Sequence, residues 1–206
     1  MTHDHSHRPG SRGFSLAEML IALTITGTLL TATLGALDTS FKSYKVTTEG
    51  ASTNVVARMV MTRMMTMLRT GDEFGPYPDD PLDANQNPVR SDAVEFITAS
   101  DAATNWRRIA RLELRATDEQ RLGPNQLWYI QTDISNGVQT AREERPLLAG
   151  VQGLTFTLEY DVGPRLRRAT VDLTVRPNDF QDAGFGSVME APSIRLVSSV
   201  APRRLE

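Results

Sequence analysis

The chain has 206 residues, with 22 lysines and arginines, 25 aspartates and glutamates, and a formal net charge of −3. It contains no cysteine, and its three histidines all lie within the first seven residues. The rest of the sequence therefore cannot form disulfides, zinc sites that use His or Cys, or His-dependent nucleophiles. It also has no glycine-rich phosphate loop and no excess of basic over acidic residues. The sequence therefore predicts no enzymatic activity, no cofactor and no nucleic-acid partner.

The first segment, residues 1–13, is weakly basic. It carries Arg8 and Arg12 against Asp4. Positively charged flanks of a membrane segment stay on the cytoplasmic side. The sequence therefore predicts a cytoplasmic leader, with everything from Asp38 onward outside the inner membrane.

An apolar run extends from Phe14 to Leu37 and contains one charged residue, Glu18. As a helix it would reach about 36 Å at ~1.5 Å per residue, enough to cross a bilayer core of about 30 Å. A carboxylate in such a segment costs on the order of 2.5 kcal/mol to insert into the membrane. The presence of Glu18 therefore predicts that its carboxylate has a function and a binding partner. If the chain is cut between Gly13 and Phe14, the new α-amino group lies about one helical turn from Glu18. Such a pair, formed within a chain or between neighbours, would set the axial register of assembly.

The residues from Gly13 to Leu23 resemble the prepilin-type cleavage and methylation signal of type IV pilins and of type II secretion pseudopilins. The resemblance rests on a basic residue, Gly13, Phe14, a hydroxyl residue, a leucine and then Glu18. It implies cleavage between Gly13 and Phe14 by a membrane-embedded prepilin peptidase, and N-methylation of Phe14. It also implies assembly with other pilin or pseudopilin subunits through the apolar helix, with secreted cargo as a further possible partner.

Two other interpretations remain open. The run could be an uncleaved anchor for a periplasmic binding or enzymatic domain, which explains its length but not the Gly13–Phe14 junction or Glu18. It could instead be a cleaved signal peptide of a soluble protein that begins near Leu37. Secretory apolar regions are usually about 7–15 residues long, so a run of this length with an acid inside it argues against that interpretation.

Residues 38–70 are predicted to continue the helix as an amphipathic stem, with Gly71 as its C-cap. The apolar positions that recur at helical spacing are Val55, Val56, Met59, Val60, Met64, Met67 and Leu68. Several methionines could suggest Cu(I), but methionine more often fills gaps in a core. The stem therefore predicts a sheet that covers its apolar side.

Residues 71–92 are rich in proline and turn residues and are predicted to form a loop. A weak candidate for calcium has the spacing of the first ligands of a calcium loop: Asp83, Asn85 and Asn87. Proline stands at 88, where such a loop needs glycine, and valine at 94, where it needs a bidentate glutamate. Asp- and Asn-rich turns also form without an ion.

Residues 93–206 are predicted to form a β-rich globular domain. The strand-like runs are Val94–Thr98, Ile109–Arg115, Leu127–Gln131, Leu154–Asp161, Ala169–Val175 and Ile194–Val200. Asn136–Gly137 suits a two-residue hairpin turn, and the arginine clusters at 107–111 and 165–168 are predicted to be solvated strand faces. The expected fold is α+β and pilin-like: a long N-terminal helix, half membrane segment and half stem, packed on an antiparallel sheet.

Residues 94–176 also resemble, more loosely, the J-type minor pseudopilins. The likeness rests on the leucines and Gly150–Val151 that precede an alternating strand, and on Trp128–Tyr129 in a preceding strand. It implies a minor subunit. Secretion, pilus and competence filaments share every residue on which this interpretation depends.

Overall fold

A computed structural model describes residues 13–117, 125–162, 165–176 and 193–203. In this part of the chain one helix, α1 (Leu16–Thr70), is followed by eight strands. The strands are β1 (Asp72–Gly75), β2 (Val89–Ser91), β3 (Ala93–Asp101), β4 (Trp106–Ala116), β5 (Asn125–Ser135), β6 (Val138–Asp161), β7 (Arg165–Val175) and β8 (Ile194–Val200). All strand pairs are antiparallel. The predicted α+β, pilin-like layout is confirmed.

The chain divides into two compact units, Met1–Lys45 and Val46–Glu206. In the first unit the described residues are helical from Leu16 onward, and every residue from Gly13 to Tyr44 is exposed. The helix begins two residues after the predicted start at Phe14. The predicted leader lies outside the described residues except for Gly13.

The second unit is built on one sheet with the order β1-β3-β4-β5-β6-β7-β8, while β2 pairs with β6. Its core lies between one face of the sheet and the last part of α1. The buried helix residues are Ala57, Met61, Met64 and Leu68, and they join a single apolar cluster with residues of β3 to β7. The stem therefore finds the sheet that its amphipathic pattern predicted, and the methionines at 61 and 64 act as core residues.

Strand β6 is 24 residues long and changes partner near its middle. Its first part pairs with β5 and its second part with β7, and Val151 pairs with both strands. Gly150, immediately before it, has φ +71°, and a Cβ there would lie 2.7 Å from the carbonyl oxygen of Arg176. Arg176 in turn donates its backbone N–H to the carbonyl of Gly150 at 2.9 Å. Only glycine fits both the positive φ and this close approach.

The prediction of a loop over 71–92 is wrong in part, because that segment contains β1 and β2. Both strands are short additions to a sheet edge: β1 pairs with β3, and β2 pairs with residues 156–158 of β6. Asn87 extends the second pairing, since its amide group donates to the carbonyl of Tyr160 and accepts from its N–H. Runs of three or four residues are too short to show a strand period, so only the sheet reveals them.

Two turn predictions have different outcomes. The Asn136–Gly137 hairpin is confirmed: both residues have positive φ, at 51° and 79°, and they join the paired residues Ser135 and Val138. The helix does end at Thr70, but Gly71 does not serve as a left-handed cap. A Cβ on Gly71 would lie 2.6 Å from the ring of Phe96, so it is packing against the sheet that requires glycine there.

Candidate functional site

The start of α1 is fixed by a reciprocal pair of side chains, Ser15 and Glu18. The backbone N–H and the hydroxyl of Ser15 donate to Glu18 Oε2 at 2.8 and 2.9 Å. The backbone N–H of Glu18 donates to Ser15 Oγ at 3.3 Å. This is a capping box, in which each side chain satisfies a backbone donor that the first helical turn leaves unpaired. The observed partner of Glu18 in the uncut chain is therefore Ser15.

The junction between Gly13 and Phe14 lies just before this cap, outside the helix. Phe14 is 82% exposed. No described atom lies within 4 Å of a Cβ built on Gly13, so its own surroundings do not require glycine there. An exposed peptide bond in non-helical backbone has the geometry that a peptidase needs for access.

The described chain contains one helix, α1, that is long and apolar enough to cross a membrane. Between residues 19 and 37 its polar side chains are all threonines, and their hydroxyls donate to carbonyls of the same helix. Thr26 donates to Ala22, Thr31 to Gly27 and Thr33 to Leu29, at distances of 2.7 to 2.9 Å. These hydroxyls need no water, which suits a helix in hydrocarbon.

The comparison with protein families agrees with this geometry. Residues 8–34 match the family model of the prokaryotic N-terminal methylation motif. The chain therefore carries the type IV pilin-like signal that the sequence predicted. The motif points to a prepilin-like structural subunit, with a single-pass anchor, rather than to an enzyme. No curated protein sequence and no solved structure matches the chain significantly.

The weak calcium candidate is divided between two local roles. Asp83 accepts hydrogen bonds from the backbone and side-chain nitrogens of Asn85 at 2.9 and 3.0 Å, which closes a turn. The side chain of Asn87 instead lies against Tyr160 in the sheet, where its oxygen accepts a backbone N–H at 3.0 Å. Among the described residues, no group of three or more His, Asp or Glu side chains is arranged to hold a metal ion.

The arginine clusters pair with carboxylates across neighbouring strands. Arg108 contacts Asp133 through two parallel hydrogen bonds, at 2.7 and 2.8 Å. These bonds hold the pKa of the Asp133 carboxyl below its usual range. On the face opposite the core, Arg115 bridges Glu113 and Glu144, and the hydrogen bonds from Arg115 and Arg142 lower the pKa of Glu144. In the two predicted clusters, Arg111 pairs with Glu113 and Arg168 with Glu159, and both arginine side chains are about half exposed, as expected of solvated strand faces.

Sequence reasoning missed the role of Ser15 at this site. The signal was available, because a serine followed three residues later by glutamate at the start of an apolar helix is the signature of a capping box. The charge of Glu18 in an apolar run drew attention to a partner in assembly. The same carboxylate also serves the local fold of the uncut chain.

Proposed function

We propose that this protein is a pilin or pseudopilin subunit of a filament of the type IV pilus or type II secretion kind. A prepilin peptidase cleaves it between Gly13 and Phe14, and Phe14 is then N-methylated. The observation that carries the proposal is the methylation motif at residues 8–34, which ends in an exposed, capped apolar helix. The loose J-type likeness favours a minor subunit, placed at the tip or inserted singly in the filament.

Orientation follows from the same motif. The weakly basic leader stays in the cytoplasm, residues 14–37 cross the inner membrane, and the sheet unit lies on the far side. There the sheet unit contacts other subunits or secreted cargo. We assign these contacts to the sheet unit because the peptidase and the anchor use the other end of the chain.

Glu18 acts twice in this proposal. In the uncut chain it caps the helix with Ser15, and both bonds from Ser15 reach Oε2. After cleavage the ammonium group of Phe14, in the same or a neighbouring chain, binds Oε1. Attraction between an ammonium and a carboxylate is much stronger in a low-dielectric setting than in water. A neighbour out of register would leave a bare charge in lipid, so the pair fixes the axial position of each subunit.

The test is the intact mass and N-terminal sequence of the protein extracted from membranes of its native host. We expect a mature chain that begins at Phe14 and carries about 14 Da for one added methyl group. A chain that retains Met1 would instead establish an uncleaved anchor. A start near Leu37 would establish a secreted soluble domain and remove any role for Glu18.

A further inference from the structure

A buried amide without a hydrogen-bond partner lies on the outer face of the sheet. Gln126 is only 6% exposed, and no other buried residue that the structure describes has an amide or charged side chain. Its neighbour Leu127 belongs to the core cluster, so the side chain of Gln126 lies on the opposite face of β5. Among the described residues none forms a hydrogen bond with this amide. Buried polar groups are nearly always hydrogen-bonded, so the exception needs a reason.

The amide of Gln126 faces an open cleft. The cleft has a volume of about 540 Å³ and lies between Gln126 and Trp128 of β5 and residues 146–149 of β6. Its size falls within the ~300–1,000 Å³ of ligand pockets. Residues 146–151 of β6 lie opposite only residues 125–128 of β5, so β6 carries two extra residues here and bulges. Such bulges are frequent beside functional sites, because they redirect side chains.

The cleft is neutral and partly apolar. Its described lining contains no charged side chain, and Trp128 and Leu147 are both half-buried in it. Arg115 lies over the ring of Trp128, at 5.0 Å from the ring centre. The guanidinium of Arg115 is already paired with Glu113 and Glu144. The cleft therefore suits a ligand that combines uncharged polar groups with an apolar one.

The backbone beside the cleft favours a peptide among such ligands. On the side away from β5, no described strand pairs with residues 138–149 of β6, because the ladder with β7 begins at Val151. An unpaired strand edge exposes N–H and C=O groups, and an extended peptide can pair with them. A primary amide is both donor and acceptor, so Gln126 can bind the N–H and the C=O of a peptide backbone.

We propose that this cleft binds an extended, uncharged peptide segment of a partner protein. The amide of Gln126 hydrogen-bonds the backbone of that segment, and an apolar side chain of the segment packs against Trp128 and Leu147. The hydrogen bonds that the amide lacks in the described chain are then supplied by the partner. This inference deepens the proposed function and rests on it for the place of the encounter, which is outside the inner membrane.

The test follows the fluorescence of Trp128 in the full chain, purified in detergent from membranes of its native host. The chain has two tryptophans, so Trp106→Phe leaves Trp128 as the only one. The probe is the neutral peptide acetyl-Ser-Val-Leu-Val-Ser-amide, titrated to about 1 mM. We expect a saturable change in emission. Binding should be at least about tenfold weaker when Gln126→Leu is added, because the peptide then loses its hydrogen bonds to the amide.

Unfolding without peptide separates a binding role of Gln126 from a structural one. A buried amide without a partner destabilises a fold, so Gln126→Leu should leave the urea midpoint unchanged or raise it. A lower midpoint would show that the amide serves the fold, and the proposal would be wrong. Gln139→Leu makes the same change at an exposed position of β6 and should leave the peptide titration unchanged.

Three other results would overturn the proposal. They are an emission that stays constant over the titration, equal binding of the same peptide with its three central residues N-methylated, and a response to the neutral sugar maltotriose but not to the peptide. The N-terminus is sequenced in the same samples. Peptide binding by a chain that retains Met1 keeps the cleft and removes the proposed function, whereas a chain that begins at Phe14 and binds no peptide does the reverse.

Discussion

The two parts of α1 have the same kind of sequence pattern and opposite surroundings. Between Val46 and Thr70 the buried residues Ala57, Met61, Met64 and Leu68 are spaced by four, three and four, and the sheet covers them. Between Leu16 and Tyr44 apolar residues also recur at intervals of three and four, yet every residue there is exposed. A helical apolar period therefore shows that a helix needs a partner, but it does not show which surface that partner provides. For the stem it is the protein's own sheet, and for the N-terminal part the proposed partners are lipid and other subunits.

The largest effect is expected from the charge of Glu18. Glu18→Gln keeps an acceptor for the capping box but removes the negative charge, so membrane insertion should be unchanged. Because the proposed ammonium pair is lost, we expect incorporation into filaments to fall by at least about tenfold, which corresponds to only about 1.4 kcal/mol. The measurement is the amount of the variant in sheared or purified filaments relative to the amount in membranes.

Ser15→Ala is the matched control for that variant. It removes the cap and keeps the charge, so assembly should stay near the wild-type level. If Ser15→Ala impaired assembly as much as Glu18→Gln, assembly would depend on the cap as well as on the charge of Glu18.

The stem can be tested with two methionines of the same helix. Met64 is fully buried against the sheet, and Met59 is 67% exposed. Met64→Ala should lower the free energy of unfolding of the sheet unit by about 2–5 kcal/mol, because it leaves a cavity in the core. The measurement is the urea midpoint of the full chain in detergent, followed by the β-sheet signal in circular dichroism.

Met59→Ala should leave that midpoint nearly unchanged, since no buried volume is lost. Similar losses in both variants would show that Met59 is covered in the intact protein. The contrast drawn here between the sheet-facing and exposed sides of the stem would then be wrong.

A smaller loss is expected at the point where β6 changes partner. Gly150→Ala places a side chain at φ +71° and against the carbonyl of Arg176. Positive φ alone costs a non-glycine residue about 1–2 kcal/mol, so the midpoint should fall by a corresponding amount. Gly153→Ala is the control in the same strand, because a Cβ there meets no described atom within 4 Å. Equal midpoints for the two variants would mean that β6 can change its pairing partner without glycine at position 150.

The smallest effect is a dependence on pH that belongs to the sheet unit. Hydrogen bonds from Arg108 lower the pKa of Asp133, and those from Arg195 lower the pKa of Asp172. A depressed carboxyl pKa stabilises the fold above the unfolded value of about 3.9, and this stabilisation is lost as the pH falls through the lower, folded value. The urea midpoint should therefore decline as the pH is lowered below about 4.

Asp133→Asn should flatten that decline and leave the midpoint at pH 7 slightly lower. The comparison of wild type and variant across the same pH series isolates this pair from the other carboxylates. If the midpoint of the variant still declined at low pH as steeply as that of the wild type, Arg108 and Asp133 would interact no more strongly in the folded chain than in the unfolded one.

Local features of the sequence determined a good part of this structure and of the candidate site. The run from Gly13 to Leu23 identified the methylation signal, and the apolar spacing predicted α1 to its last residue, Thr70. All six predicted strand runs lie inside observed strands, although β6 begins sixteen residues before the run that predicted it. The Asn136–Gly137 turn followed from the need for positive φ at two adjacent positions. Each of these depends on neighbours within a few residues, which the sequence alone displays.

Tertiary structure decided what depends on distant pairing. β1 and β2 exist because free edges of β3 and β6 accept them, and the first half of β6, charged and exposed, is a strand because β5 lies beside it. Gly71 is needed for the ring of Phe96 and Gly150 for the carbonyl of Arg176. The sequence marks such positions with a glycine, but the atom that would collide comes from elsewhere in the chain. Packing between distant segments therefore had to be seen before the reason for either glycine could be known.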